Sequence, residues 1–519
     1  MNLIDTAFIL LCLLPAEDKP TPKLPLGKET TYVTGPLDKE GYVDYEAALN
    51  DWLGKGITLE KNANVLLWKA LGPTPEGGAR MPAEYFKRLG IEEPPMRGEY
   101  FIGLQAYMKE QLKLDPAAFD TISDQLSWAS QRPWAPKDYP HIAAWLTANE
   151  KPLAVVVEAT KRPDYFNPLI APRSKNEPGS LLGALLSGIP MSREAARALA
   201  ARALLRVGEG KFDEAWQDLL ACQRLGRLIA RGGTLIEGLV GIAIDQIASN
   251  AELAYLERAQ LTSRQVQDRL KDLRGLPEMP PIADKIDVGE RFLFLDSLQL
   301  VRRRGTGMLE GLAGGQGKKP TAEQVKELER IDWEPAFRNS NRWYDKLATA
   351  MRHKERADRQ KAIDQLEKDF EALKLDAAGE ATVAKLLLGM ERPDKMAGKV
   401  IGDFVICVMM PATGNVQNAD DRRAQVQRNV HVAFGLDGYY RDHGRYPAKL
   451  EDLAPRYLAT VPDDLFSGRA LIYRLTEKGY LLYSIGVNGI DDGGRASDDD
   501  PPGDDLSVRM PLPELKRKK

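Results

Sequence analysis

A mainly α fold is predicted, with a large helical domain followed by a small α+β domain. Three observations predict it. Apolar side chains recur at helical spacing through residues 181–260, and residues 321–375 are highly charged with few turn formers. Two short β-like runs then occur close together beyond residue 470. The chain has 519 residues, too many for one hydrophobic core, so about three domains are expected. A composition 43% hydrophobic and 28% charged is globular. Lysine plus arginine (72) nearly cancels aspartate plus glutamate (75), so no whole-chain basic footprint for nucleic acid exists. Three cysteines and four histidines leave little material for a disulfide scaffold or a zinc cluster.

Residues 7–14 form an apolar core of signal-peptide type, and Leu14-Pro15-Ala16 is a passable cleavage site. Asp5 and the absence of early Lys or Arg oppose that reading. Residues 1–16 therefore read either as an export signal, giving a periplasmic or envelope protein, or as a short segment packed into the fold of a cytoplasmic one. No segment reaches the ~20 apolar residues of a transmembrane helix. Residues 17–40, rich in Pro, Lys and Thr, read as a linker. Residues 41–180 read as an irregular, mostly helical region, beginning with Tyr45, Leu49, Trp52 and Leu53 on one helix face and broken later by proline-rich turns.

Residues 181–410 read as a helical domain with a flexible loop at 311–320. Leu199, Ala203, Leu204 and Val207 precede Gly208-Glu-Gly-Lys-Phe-Asp213, and Ala215, Trp216, Leu219, Leu220 and Leu225 follow on one face of a second helix. This hairpin weakly resembles one tetratricopeptide unit. No second copy follows at that period, and such solenoids need about three repeats to bury a core. The unusually apolar stretch Leu235–Leu256 should be a central helix. Two long helices are expected within 321–375, packing back on the 181–260 core.

No catalytic signature stands out. Gly317-Lys318 mimics the end of a phosphate loop, but position 312 is Leu and position 319 is Lys, so both the glycine spacing and the magnesium-binding hydroxyl are missing. His141, His353, His431 and His443 are scattered and read as surface or locally bonded residues. Cys222 and Cys407 lie in apolar runs and read as small core hydrophobes.

From Asp421 the pattern changes. An amphipathic helix carrying Val426, Val430, Ala433, Phe434 and Tyr440 ends at His443-Gly-Arg-Tyr-Pro447. A short helix (Leu450 to Tyr457), Val461-Pro-Asp-Asp464, the β-like runs Leu471–Leu475 and Tyr480–Ser484, and Gly486-Val-Asn-Gly-Ile-Asp-Asp-Gly-Gly494 follow. The order Tyr-x-x-x-x-Gly-x-Tyr-Pro, Leu-x-x-Leu, Val-Pro-x-Asp, Tyr-Ser-x-Gly and Asn-Gly-x-x-x-Gly-Gly before Asp505-Leu506 resembles the globular domain of the major pseudopilin of type II secretion systems and related type IV pilin-like proteins. The resemblance covers residues 419–510; residues 511–519 read as a basic tail.

The resemblance implies a calcium-binding closing loop. Asn488 stands where the family has Asp, and Asp505 matches the Asp of its Asp-Ile; Asp491 and Asp492 complete the candidate metal ligands. Chemically this suits Ca²⁺, which takes six to eight oxygen ligands. Seven aspartates fall between residues 491 and 505 against one arginine, Arg495. A solvated acidic loop is the alternative reading. The long apolar assembly helix of pilins is not found before this segment, so a filament is not expected. The preceding 400 residues resemble helical regions of bacterial proteins without an assigned activity. The expectation is a non-enzymatic, exported bacterial scaffold or interaction protein with protein partners. A hydrolase-like enzyme with its site among the helices, or a cytoplasmic helical adaptor, are the alternatives.

Overall fold

The computed structural model describes residues 24–75, 80–173, 179–184, 186–304, 328–377, 393–409 and 413–515. The expected export signal, the 311–320 loop and the basic terminus at 516–519 lie outside the described residues. The protein is mainly helical, with one three-stranded antiparallel sheet near the C-terminus.

Asp44 and Asn62 accept backbone N–H groups at the starts of α1 (Tyr45–Leu53) and α2 (Ala63–Leu71), satisfying donors that a helix leaves unpaired. α3 (Ala83–Leu89), α4 (Phe119–Ala129), α5 (Pro140–Ala148) and α6 (Glu150–Ala159) follow through proline-rich connections. The expected face of α1 holds only in part. Tyr45 and Leu49 are buried, but Trp52, in the last turn, is 54% exposed.

α7 (Gly188–Gly208), α8 (Phe212–Ile229) and α9 (Leu235–Arg258) form the main core, burying every residue expected on the two hairpin faces. Buried alanines 195, 196, 198, 200, 201 and 203 lie all round α7 and keep it thin where its neighbours pack against it. α8 and α9 come closer still: a Cβ added at Gly241 would lie 2.6 Å from the Gly226 carbonyl oxygen. At such a crossing only glycine leaves room for both backbones. Thr234 closes a capping box with Glu237 at the start of α9. Thr234→Ala should cost about 1 kcal/mol, read as a lower urea midpoint in tryptophan fluorescence.

A second core lies elsewhere, and here one expectation fails. After α10 (Ser263–Arg274) comes α11 (Arg291–Arg304), and then α12 (Glu334–Met351) and α13 (Arg356–Ala377), the two helices expected from the charged stretch. α12 and α13 do not return to the 181–260 core. Phe337, Tyr344 and Leu347 join Phe294, Leu298, Val400 and Ile401 in a separate cluster. Residues 282–301 and α14 (Pro393–Met409) supply an apolar surface of their own, which these helices cover. Arg291, fully buried, anchors it through Asp287, Asn341 and Asp345, with its guanidinium 4.2 Å from the Tyr32 ring.

α15 (Thr413–His443) starts earlier than the sequence suggests, running through Gly414. Its apolar side, with Val430, Ala433, Phe434 and Leu436, enters the main core beside α9 and α10. Phe434 and Tyr255 stand 5.8 and 5.3 Å from Trp216, ring centre to ring centre. The short helix expected from Leu450 is a single 3₁₀ turn, Leu450–Leu453. β1 (Ile472–Leu475) pairs with β2 (Tyr480–Ser484) as expected, and β2 pairs in turn with β3 (Leu506–Met510), which was not anticipated. The inward side chains Leu482, Val508 and Met510 complete the same core.

Candidate functional site

β2 and β3 are joined by the acidic loop, which must turn repeatedly to keep its strands antiparallel. Gly486 takes a left-handed φ of +69° where the Asp504 backbone passes; an added Cβ would meet the Asp504 carbonyl oxygen at 2.1 Å. Most loop carboxylates are engaged locally. Asp491 accepts from the Tyr483 hydroxyl (3.0 Å) and the Gly493 N–H (2.8 Å). Asp492 accepts from the Asp504 N–H (2.9 Å) and the Asn488 amide (3.3 Å) and lies 3.6 Å from Arg495. The Asn488 carbonyl oxygen accepts the Ile490 N–H at 2.8 Å.

Asp505 differs. Its side chain is buried, one carboxylate oxygen takes the Gly494 N–H at 2.6 Å, and the other has no partner. Burial raises its pKa, and the nearby charges of Asp492 and Asp491 raise it further. A bound cation would reverse both effects. The structure thus gathers Asn488, Asp491, Asp492 and Asp505 into one loop, with a single orphaned acceptor. Among the described residues no three His, Cys, Asp or Glu side chains converge into a ready metal shell. A calcium ion would draw on the free Asp505 oxygen, the neighbouring carboxylates and backbone carbonyls, and the loop would adjust around it.

A second polar site lies deeper, between α8, α9 and α15. Arg227, 4% exposed, donates to the Pro277 carbonyl (2.8 Å), the Gln223 side chain (2.5 Å) and Asp245 (2.9 Å). From α15, Gln427 reaches Asp245 at 3.4 Å. Glu252 sits two turns on from Asp245, fully enclosed, with one carboxylate oxygen unpartnered. Burial pushes its pKa up to about 8, Asp245 adding to the rise while the Gln223 amide and Arg227 oppose it. Burial thus favours the protonated form of Glu252. Burial likewise lowers the pKa of His431, on α15, to about 4.

Sequence reasoning missed this seam, although it left a trace. Glu237, Asp245 and Glu252 recur at spacings of eight and seven along a largely apolar helix, which puts them on one side. Glu237 is also buried, accepting from Asn167 at 2.7 Å, and Lys285, facing it, has its pKa lowered by burial to about 8.

The remaining candidates stay apart. Among the described residues no histidine ring bonds to a serine, cysteine or carboxylate; His443 contacts the Tyr439 carbonyl oxygen at 2.9 Å and stacks on its ring. Cys222 is buried and Cys407 half-buried, both as free thiols. No helix of the described residues is long and apolar enough to cross a membrane. No family model, curated protein or solved structure matches the chain.

Proposed function

We propose that this chain is a non-enzymatic scaffold or interaction protein of the bacterial cell envelope, presenting a pseudopilin-like C-terminal module whose closing loop is braced by calcium. The observation that carries the reading is the buried, unpartnered Asp505 oxygen, faced by the charges of Asp491 and Asp492. Leaving a buried acceptor unsatisfied costs about 1–3 kcal/mol, a cost that a cation at this position would remove. The secretion-related and exported parts of the reading rest on the motif order from Tyr439 to Asp505 and on the character of residues 1–16.

Calcium binding has a direct test. A ligand that binds only the folded form stabilises it by about 2.7 kcal/mol at a hundred times its Kd. Millimolar Ca²⁺ should therefore raise the thermal midpoint of the full chain, and Asp505→Asn should abolish the increase. No increase in the parent protein, or an equal one in Asp505→Asn, would contradict a calcium site at this loop.

A further inference from the structure

Where α13 meets α15, four buried polar atoms have no hydrogen-bond partner among the described residues: Nε of Arg356, Nε of Arg359, Oδ2 of Asp421 and Oδ1 of Asn418. This contact joins the second core to the C-terminal module. Leu366 and Phe370 of α13 and Val416, in the first turn of α15, belong to that core, while Phe466 of the module has its ring centre 4.5 Å from the Arg356 guanidinium. Part of the polar set is matched. Asp421 Oδ1 accepts from Nη2 of Arg359 at 2.6 Å and from the Gln417 amide at 2.9 Å. Nη1 of Arg359 donates to the His353 and Lys354 carbonyls at 2.9 and 3.3 Å. Nε of Arg356 comes within 3.3 Å of Asp421 Oδ2, but its N–H is not aimed at that oxygen. Two N–H donors from α13 and two acceptors from α15 are left over, Asn418 lying one turn before Asp421.

Buried polar groups of a folded protein are almost always satisfied, by protein or by ordered water, because an unmatched one keeps its full desolvation cost. Water is the smallest molecule that offers two donors and two acceptors. We propose that one internal water bridges α13 and α15 at this point, accepting from the Arg356 and Arg359 N–H groups and donating to the Asp421 and Asn418 oxygens. A buried water typically makes about three such bonds. Simple ions match the set less well: a cation would face two guanidinium groups, and a chloride would face the Asp421 carboxylate. The joint between the second core and the C-terminal module thus includes a solvent molecule, whereas Phe434 holds α15 to the main core by direct aromatic packing on Trp216.

A crystal structure of the full chain, at a resolution that shows ordered solvent and with bromide in place of chloride, tests the site. One fully occupied peak without anomalous signal is expected, about 2.7–3.2 Å from Asp421 Oδ2, Asn418 Oδ1 and at least one of the two Nε atoms. Direct pairing of these groups with no peak between them, or a bromide peak, would overturn the proposal. A double-mutant cycle reads the same bridge in solution. Arg359→Lys keeps a positive charge beside Asp421 but removes the Nε donor, and Asn418→Ala removes the acceptor; changes in helix propensity cancel in the cycle. Arg359 and Asn418 make no hydrogen bond to each other. A shared water therefore predicts that the unfolding constant of the double variant departs from additivity by about twofold or more. Additive effects would contradict the bridge.

Discussion

Arg227→Ala should destabilise the protein by about 3–5 kcal/mol, the effect expected when one member of a buried ion pair is removed and its partner stays behind. Arg227 and Asp245 are 4% and 1% exposed, so water cannot replace the lost contact. Asp245 already has one carboxylate oxygen without a partner, and only Gln427, at 3.4 Å, would remain hydrogen-bonded to the other. The variant should therefore loosen α15 from α9, not merely soften α8. Chemical denaturation of Arg227→Ala, Asp245→Ala and the double variant forms the check. The double should lose much less than the sum of the singles, since removing both charges leaves no uncompensated ion. Additive losses would mean that the pair is not energetically coupled.

Glu252 gives the second large effect, and its sign is opposite. Its pKa rises from the ordinary carboxyl value to about 8 on folding, so the folded state binds a proton that the unfolded chain releases. Its contribution to stability is fully present below pH ~4.5 and is lost as pH rises toward ~8, at about 1.4 kcal/mol per pH unit. Glu252→Gln keeps the shape without the charge. At pH 8 it should be more stable than the parent by roughly 2–4 kcal/mol, and near pH 5 about equal to it. The groups acting on Glu252 are Gln223 and Arg227 from α8 and Asp245 from α9. Arg423 and Asp420 of α15 act on Asp245 from the other side. Urea midpoints of both proteins at pH 5 and pH 8 decide the matter; parallel pH profiles would rule out Glu252 as the titrating group.

Much of the helical body was legible because period and burial agree. Leu199, Ala203, Leu204, Val207, Trp216 and Leu219 recur at helical spacing and all are buried. The hairpin of β1 and β2 was readable from its β-branched and aromatic residues around Gly479. Long-range partnership was not. Periodicity gives α12 an apolar face, but nothing in its own residues says whether that face meets α9 or α14. β3 was hidden because Leu506–Met510 follows an acidic, proline-containing loop and contains Ser507 and Arg509, so its alternation is short and mixed. Trp52 misled because an aromatic residue at helical spacing does not report that its helix ends beneath it.

The candidate metal ligands were visible as residue types and as a resemblance, and the structure adds what a sequence cannot carry: which carboxylate oxygen is left over. The buried seam was harder to see. Charged residues in an apolar helix could equally mark an exposed edge, and it is α15, nearly two hundred residues later, that brings Gln427 onto the buried Asp245.

The central physical claim is that α15 is built into the helical body, so that the C-terminal module and α8 and α9 share one core. Native-state hydrogen exchange of the full chain measures this directly, because segments that unfold together open with a common free energy. The slowest amides of α8, α9 and α15 should exchange with the same opening free energy, and Arg227→Ala should lower all three together. Opening of α15 at a distinctly lower free energy, unchanged by Arg227→Ala, would contradict it.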